Sequence, residues 1–484
     1  MKSQCYKALY FIIIMLCCIT FNSCSKWLDV RPVDDVFAED AFRTKKGFES
    51  GLAGVYSSMT GQNLYGAHLK YAILDLMGGY WSVTGTQMPN YYLSVYDFTN
   101  ISSVSVTDNL WHELYKVIHQ VNIMYDYLSY IPDDEDKKII KGELLGLRAY
   151  VHLELFKLFG PVVKEEGLDA ISIPYYLTSA RKPTPFLKSN EFFRLVEKDL
   201  LEAKTLLADD PIFKNGRSGN GNSTSLLNYS YLLNYRGARI NYFGINALLA
   251  RLYQLEGNHS KAMEYADGVI SELESKQGIG IRLIRESEFT SAVVDRDIRL
   301  ACENIFSLIR NESHVMSQRF FTGPSRLMTA YAGFLDNLYT RGSGSSIDYR
   351  LVQWGIGTYF NKFLNESDDS RTPRHRNEIQ LINLPEMYFI SAEANLETNP
   401  EKSIQLLNKI RSSRGIGALT FTTTAELKTN YIDEVRREYI GEGFIYTFYK
   451  RLFNPIYRAS GAVIPSTKIF KFPIPVEERV YNQS

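Results

Sequence analysis

The chain has 484 residues, 45% of them hydrophobic, and its 54 basic side chains are matched by 54 acidic ones. This neutral balance argues against nucleic acid as a partner, because such binding draws on clustered positive charge. The length allows two or three ordinary domains or one large helical assembly. Four of the five cysteines (Cys5, Cys17, Cys18 and Cys24) fall near the N-terminus, leaving Cys302 alone in the body. No internal disulfide is then available there, so the fold must rest on its core. Cys302, close to Ile305 and Phe306, reads as a small buried hydrophobe.

Lys2 and Lys7 precede the apolar run Ala8–Thr20, which leads to Phe21-Asn22-Ser23-Cys24. A basic start, a short apolar stretch and small residues at a cleavage point predict a secretory signal over residues 1–23. The run is shorter than the ~20 residues that span a bilayer. A cysteine directly after Ser23 fits a bacterial lipoprotein cleavage site with Cys24 lipidated, although Phe21 stands where such sites usually carry Leu. Residues 24–41 read as a tether and 42–484 as one α-helical domain.

From Phe42 to Met59 the residues Phe42, Phe48, Leu52, Val55, Tyr56 and Met59 return at helical intervals. Residues 61–107 lack that period, carry Gly78-Gly79-Tyr80-Trp81 and Tyr91-Tyr92, and read as surface loops. Asp108 is placed to cap a helix over Leu110–Tyr130, which Pro132 stops. A long helix follows over Lys137–Phe159 and ends at Gly160-Pro161. Asn190 is placed to cap residues 190–207, with Phe193, Val196, Leu200, Ala203 and Leu207 inward. Residues 208–239 form a polar loop rich in Gly, Asn and Ser.

Paired helices come next. Ile240–Glu256 carries Ala247 and Ala250, Gly257-Asn258-His259 turns the chain, and Ser260–Lys276 returns with Ala262 and Ala266. Small residues let two helices approach while larger ones fill the gaps, as in tetratricopeptide repeats. The pattern recurs at Leu384–Leu396, followed by Asn399-Pro400 as cap and first residue of a helix reaching Arg414. A last helix is expected from Ala425 to Tyr449. Residues 280–375 interrupt with Gly, Ser, Asp and aromatics, including Tyr331, Tyr339, Tyr349, Trp354, Tyr359 and Phe360. The expected fold class is mostly α: a tetratricopeptide-like helical-pair scaffold with a large loop-rich region in insertions at about 61–107, 208–239 and 280–375.

No catalytic motif stands out. The chain has no Gly-x-Ser-x-Gly elbow, Walker A loop or His-Glu-x-x-His helix. His112-Glu113 lacks a second histidine four residues on, and Gly415-Ile416-Gly417 reads as a helix stop. Glycoside hydrolysis needs two carboxylates about 5 to 10 Å apart, and the sequence singles out no such pair. No cofactor or metal is expected; a structural calcium is left open, with no motif for it. Loops on a rigid frame gather binding residues, and a Trp or Tyr ring can stack on the C–H face of a sugar. The candidates are Tyr80, Trp81, Tyr91, Tyr92 and Trp354, with Asp75 and Asn90 as polar partners. The competing reading of each aromatic is as a core residue, since Trp is highly buried on average.

Several segments, in order, carry a resemblance. They are Cys24-Ser25-Lys26-Trp27-Leu28-Asp29-Val30-Arg31-Pro32, then Glu143–Tyr150 with Leu158-Phe159-Gly160-Pro161-Val162, and then Ile245–Gly257. Leu384–Ala394, Leu407–Arg411, Glu434–Glu438 with Gly441-Glu442-Gly443, and Phe472-Pro473-Ile474-Pro475 follow. Together they resemble the SusD-like (SusD/RagB) family of outer-membrane nutrient-binding lipoproteins of Bacteroidetes. One departure is visible. Where the family often shows Trp-Phe-Asp-Leu-Lys-Arg, this chain has Tyr446-Thr447-Phe448-Tyr449-Lys450-Arg451, which bears on the ligand more than on the fold.

The resemblance implies a non-catalytic capture protein, held on the outer membrane by a lipid on Cys24. Such proteins bind glycans, or in some branches peptides. They sit as a lid on a SusC-like TonB-dependent β-barrel transporter, with tetratricopeptide helices toward the barrel. Arg148, Glu393, Arg411, Arg436, Arg437 and Glu438 look like signature residues, read here as charges that tie helices together. Oligopeptide capture on the same scaffold, a surface glycosidase and a tetratricopeptide adaptor remain as alternatives.

Overall fold

Side chains at the helix starts set where the elements begin. The computed structural model describes residues 38–481 except 84–89, 181, 219–231, 291–296, 312–319, 322–327, 331, 341–345, 356–359, 361 and 364–376. The expected signal, Cys24, most of the expected tether, Tyr331 and Tyr359 therefore lie outside the described residues. Helix α1 (Lys45–Met59) begins after Thr44, whose side chain accepts the Gly47 N–H. Asn100 and Asp134 do the same for α2 (Ile101–Asp126) and α3 (Glu135–Phe159). At α4 (Ser189–Leu206) the Glu191 carboxylate accepts the Lys188 N–H.

Asparagines start the next four helices. Asn241 caps α5 (Tyr242–Glu256), Asn258 caps α6 (His259–Ser275), Asn383 caps α7 (Leu384–Asn395) and Asn399 caps α8 (Pro400–Ser413). Thr423 caps α9 (Thr424–Glu438), and α10 (Ile445–Leu452) follows. Each cap satisfies a backbone donor that its helix cannot.

Consecutive helices from α1 to α9 pack on one another, which produces the helical-pair scaffold. Ala247, Ala250, Ala262, Ala266 and Ala392 are fully buried within it. A Cβ at Gly146 would sit 2.5 Å from Ile245 Cδ1, so glycine is what lets α3 approach α5. Among the described residues four short strands complete the fold: β1 (Trp81–Ser82), β2 (Asn304–Ile309), β3 (Thr329–Ala330) and β4 (Glu378–Asn383). They pair antiparallel as β1 with β3 and β2 with β4.

Three expectations need correction. Residues 64–81 are interior, not surface loop: Leu64, Ala67, Tyr71, Ile73, Leu76 and Met77 are all buried. A π-helical turn over His68–Ala72 leads into a helix over Ile73–Met77. A segment buried on every side shows no apolar stripe, so periodicity could not reveal it. Helix α2 starts at Ile101, before Asp108, with the weak helix formers Ser102, Ser103, Ser105 and Thr107 in its first turns. The expected helix from Ala425 to Tyr449 is two helices, parted by Gly441 (φ +75°) and Gly443 (φ +65°). Cys302 packs beside the core but stays half-buried.

Buried ion pairs join these elements. Arg350 is fully enclosed and donates to Asp348, to Glu434 (2.6 Å) and to Glu438 (2.7 Å). Glu434 also accepts from Arg411 (2.9 Å) and Arg437 (2.8 Å), while Arg414 bridges Glu438 and Glu303. Burial alone would push Glu434 up, but Arg350, Arg437 and Arg411 hold it at about 2. Elsewhere Arg148 pairs with Asp199, Arg451 with Glu393, and Arg236 with Glu143 and Asp210. Arg236 thus anchors the end of the 208–239 loop inside the protein.

Two outcomes follow for stability. Glu438→Gln leaves two guanidiniums short of a counter-charge and should cost about 3–5 kcal/mol in urea unfolding. His152 is enclosed, with Nδ1 donating to the Arg148 carbonyl (2.8 Å) and Nε2 accepting the Tyr176 N–H (3.1 Å). Burial lowers its pKa from 6.5 to about 3, so the unfolded chain takes up a proton that the fold refuses. This contribution is complete above pH about 6.5 and is lost as pH falls toward 3, at up to about 1.4 kcal/mol per pH unit. His152→Asn should be less stable at pH 8 yet decline more shallowly between pH 6.5 and 4.

Candidate functional site

Pairing of β1 with β3, Trp81 opposite Ala330 and Ser82 opposite Thr329, brings two of the interrupting zones to one place. The Trp81 ring is buried there against Phe321 (4.7 Å) and Phe360 (5.2 Å), and its indole N–H donates to Asp75. Asp75 is fully enclosed and also accepts the N–H groups of Gly441 (3.0 Å) and Gly443 (3.2 Å). It therefore holds the two-glycine turn between α9 and α10. Burial pushes its carboxyl up to about 7, against the pull of those three donors. Tyr80 donates to the Arg436 carbonyl (2.7 Å), and Trp354 to the Ile298 carbonyl (2.7 Å).

Four candidates are thus corrected. Asp75, Tyr80, Trp81 and Trp354 are core residues with satisfied polar groups, and none offers a ring face or free acceptor to a ligand. The glycines beside them suggested loops, yet Gly79 marks a close approach. It has φ +93°, and a Cβ there would meet the Tyr457 carbonyl at 2.6 Å.

Asn90, Tyr91 and Tyr92 remain half-buried at the surface. Asn90 adopts φ +65° at the start of a short helix over Tyr91–Ser94, and the two tyrosine rings meet edge to face at 5.4 Å. Arg458 donates to the Ser94 carbonyl (2.5 Å) and lies 4.7 Å over the Tyr96 ring. Next to it Tyr457 is 39% exposed. Arg436 lies between Tyr457 (5.2 Å) and Phe334 (5.4 Å) and pairs with Asp433 (2.8 Å). Residues 91–96, the helix over Ala332–Thr340 and the Ile456–Val463 bridge therefore share one aromatic and arginine-bearing face.

Sequence reading missed Tyr96, Phe334, Tyr457 and Arg458 as members of this face. The available signal was an adjacent tyrosine and arginine in the stretch after the last helix. Aromatic faces and guanidinium donors suit a ligand with C–H faces and many acceptors. Among the described residues no group of three or more His, Cys, Asp or Glu is placed to hold a metal ion.

Fold and face together define a helical-pair scaffold that gathers loop-borne aromatics at one place. A family model described as starch-binding and associating with the outer membrane matches residues 26–216, and one described as the SusD family matches residues 211–455. The chain belongs to the SusD family. A SusD superfamily protein of Bacteroides thetaiotaomicron is similar with a TM-score of 0.70 at 21% identity, covering 91% of this chain and 98% of that one. A SusD-like carbohydrate-binding protein of Bacteroides vulgatus gives 0.68 at 18%, covering 91% and 97%. A Bacteroides fragilis SusD superfamily protein gives 0.67 at 18%, covering 91% and 98%. At these identities the likeness concerns the fold. No curated protein matches the chain in sequence.

Asp75→Asn turns one acceptor edge into a donor facing backbone N–H groups. It should cost about 1–3 kcal/mol in thermal or urea unfolding, whereas Tyr92→Ala should cost about 1 kcal/mol or less.

Proposed function

We propose that the chain is a non-catalytic outer-membrane lipoprotein that captures oligomeric nutrients, glycans first, for a partner TonB-dependent β-barrel transporter. In this reading residues 1–23 are removed, Cys24 carries the lipid, residues 24–41 are the tether and residues 42–484 are the single binding domain. No described helix is long and apolar enough to cross a membrane; attachment comes from the lipid on Cys24. Membership of the SusD family supports the reading, as does the starch-binding description of the model over residues 26–216.

The observation that carries it is the face where Tyr91, Tyr92 and the exposed Tyr457 flank the Ser94–Arg458 contact. A sugar ring stacks on such rings while guanidinium N–H groups donate to its hydroxyls. The ligand is held and not converted.

The test is a titration of the chain beginning at Ser25 against polysaccharides, oligosaccharides and oligopeptides. Glycan binding is expected, weakened roughly 3- to 10-fold by Tyr457→Ala, as the loss of one aromatic stacking contact predicts. Peptide binding alone would replace the cargo and keep the scaffold. Release of reducing ends from a polysaccharide would select the glycosidase alternative. Failure to bind either class, with no barrel co-purifying from membranes, would overturn the reading.

A further inference from the structure

We propose a second ligand site, separate from the aromatic face: a cavity of about 470 Å³ among the ends of α3, α5, α7 and α10 that takes a small amphiphile with an apolar chain and one anionic end. Its walls include Phe156, Val162, Leu168, Leu255, Leu396 and Leu452. Pockets of this size with apolar walls and a few placed polar groups are where small organic ligands bind.

The charges of the lining decide the sign of the ligand. Five cations border the cavity (Lys157, Lys164, Lys428, Lys450 and Arg451) against three acids (Glu256, Glu393 and Glu397). Lys157 is engaged by Glu154 (2.9 Å) and Arg451 by Glu393 (2.6 Å). Lys164 donates to the Leu452 carbonyl (3.0 Å), and neither it nor Lys428 nor Lys450 is ion-paired with Glu256 or Glu397, the two remaining acids of the lining. Cations thus outnumber acids in the lining, five to three, so an anion is favoured.

Lys450 is the anchor. It is 4% exposed, and its ammonium donates to the Leu158 (3.2 Å) and Gly160 (2.7 Å) carbonyls at the end of α3. An ammonium has three donors, so one N–H remains after these two bonds. Among the described residues no carboxylate lies within ion-pair distance of it. Burial, with Lys471 nearby, lowers its pKa to about 7, as expected of an enclosed cation short of counter-charge. A carboxylate at the end of an apolar chain would meet the free N–H and supply that charge, while the chain replaces water along the walls.

This site is independent of the aromatic face. Thr447, Lys450 and Arg451 line the cavity from one side of α10, and at 100° per residue Tyr449, which meets Tyr457, points to the other.

The test uses the chain beginning at Ser25, which keeps every described residue, with decanoate and decanol as probes in isothermal titration calorimetry. One decanoate per chain is expected, with decanol at least about tenfold weaker for want of the charge. Lys450→Met should bring decanoate down to the decanol level. Because Lys450 also caps α3, Val163→Trp serves as the second variant: it fills the cavity from a half-buried position and should abolish binding of both probes. Tyr457→Ala should leave decanoate binding unchanged. Absence of saturable decanoate binding, equal affinity for the two probes, or binding that survives Val163→Trp would each overturn the proposal.

Discussion

Guanidinium groups buried against carboxylates are the constraint on which the architecture depends. Arg350, Arg411, Arg414 and Arg437 meet Glu303, Asp348, Glu434 and Glu438 in one enclosed cluster, four charges of each sign. Its members come from the segment before β2, the short helix over Tyr349–Gln353, the end of α8, and α9. None can ionise alone in the interior, so each arginine fixes the position of its partner's element. The cluster therefore specifies how the irregular zone seats on the helices, which apolar contact by itself would leave less defined.

The segment Tyr446–Arg451 shows how signature residues act physically. Lys450 donates to the last carbonyls of α3, and Arg451 closes on Glu393 of α7, so adjacent cations lock α10 to two scaffold helices. Tyr446 instead turns to Phe472 (5.8 Å) and donates to the Ile469 carbonyl (2.7 Å), and Tyr449 reaches Tyr457. The lysine and arginine common to this chain and the family pattern make the scaffold contacts. Of the substituted aromatics, Tyr446 and Tyr449 pack toward the closing segment and Tyr457, while Phe448 packs on Tyr431 of α9.

Placement of the candidate ligand face follows from the same division of labour. Capped helices supply a rigid stack, and β1 with β3 draws two irregular zones together over it. Asp75 stands at the junction, using one carboxylate to bind the Trp81 indole and the glycine turn before α10. Tyr91, Tyr92 and Tyr457 then stand partly exposed at the surface.

Helices with an apolar stripe and a capping side chain were legible in the sequence, because period and cap are local properties. Asn399 with Pro400 announced α8, and the alanines of α5 to α7 announced close pairing, whereas Asn241, Asn258 and Asn383 emerged as caps only in the structure. Arg148, Glu393, Arg411 and Glu438 tie elements as expected, since a charge amid apolar helix residues needs a buried partner, whereas Arg436 pairs with Asp433 inside its own helix. Exposure was another matter. Tyr80 and Trp81 resemble Tyr91 and Tyr92 in composition and flanking residues, yet the first pair is enclosed and the second is half-open. What separates them is contact with Phe321, Phe360 and Arg436, residues hundreds of positions away. The sequence by itself determined the helical class, the family and the charges that would be paired. Only the tertiary structure decided which aromatics face solvent, because burial is set by distant segments meeting and leaves no mark on the local pattern.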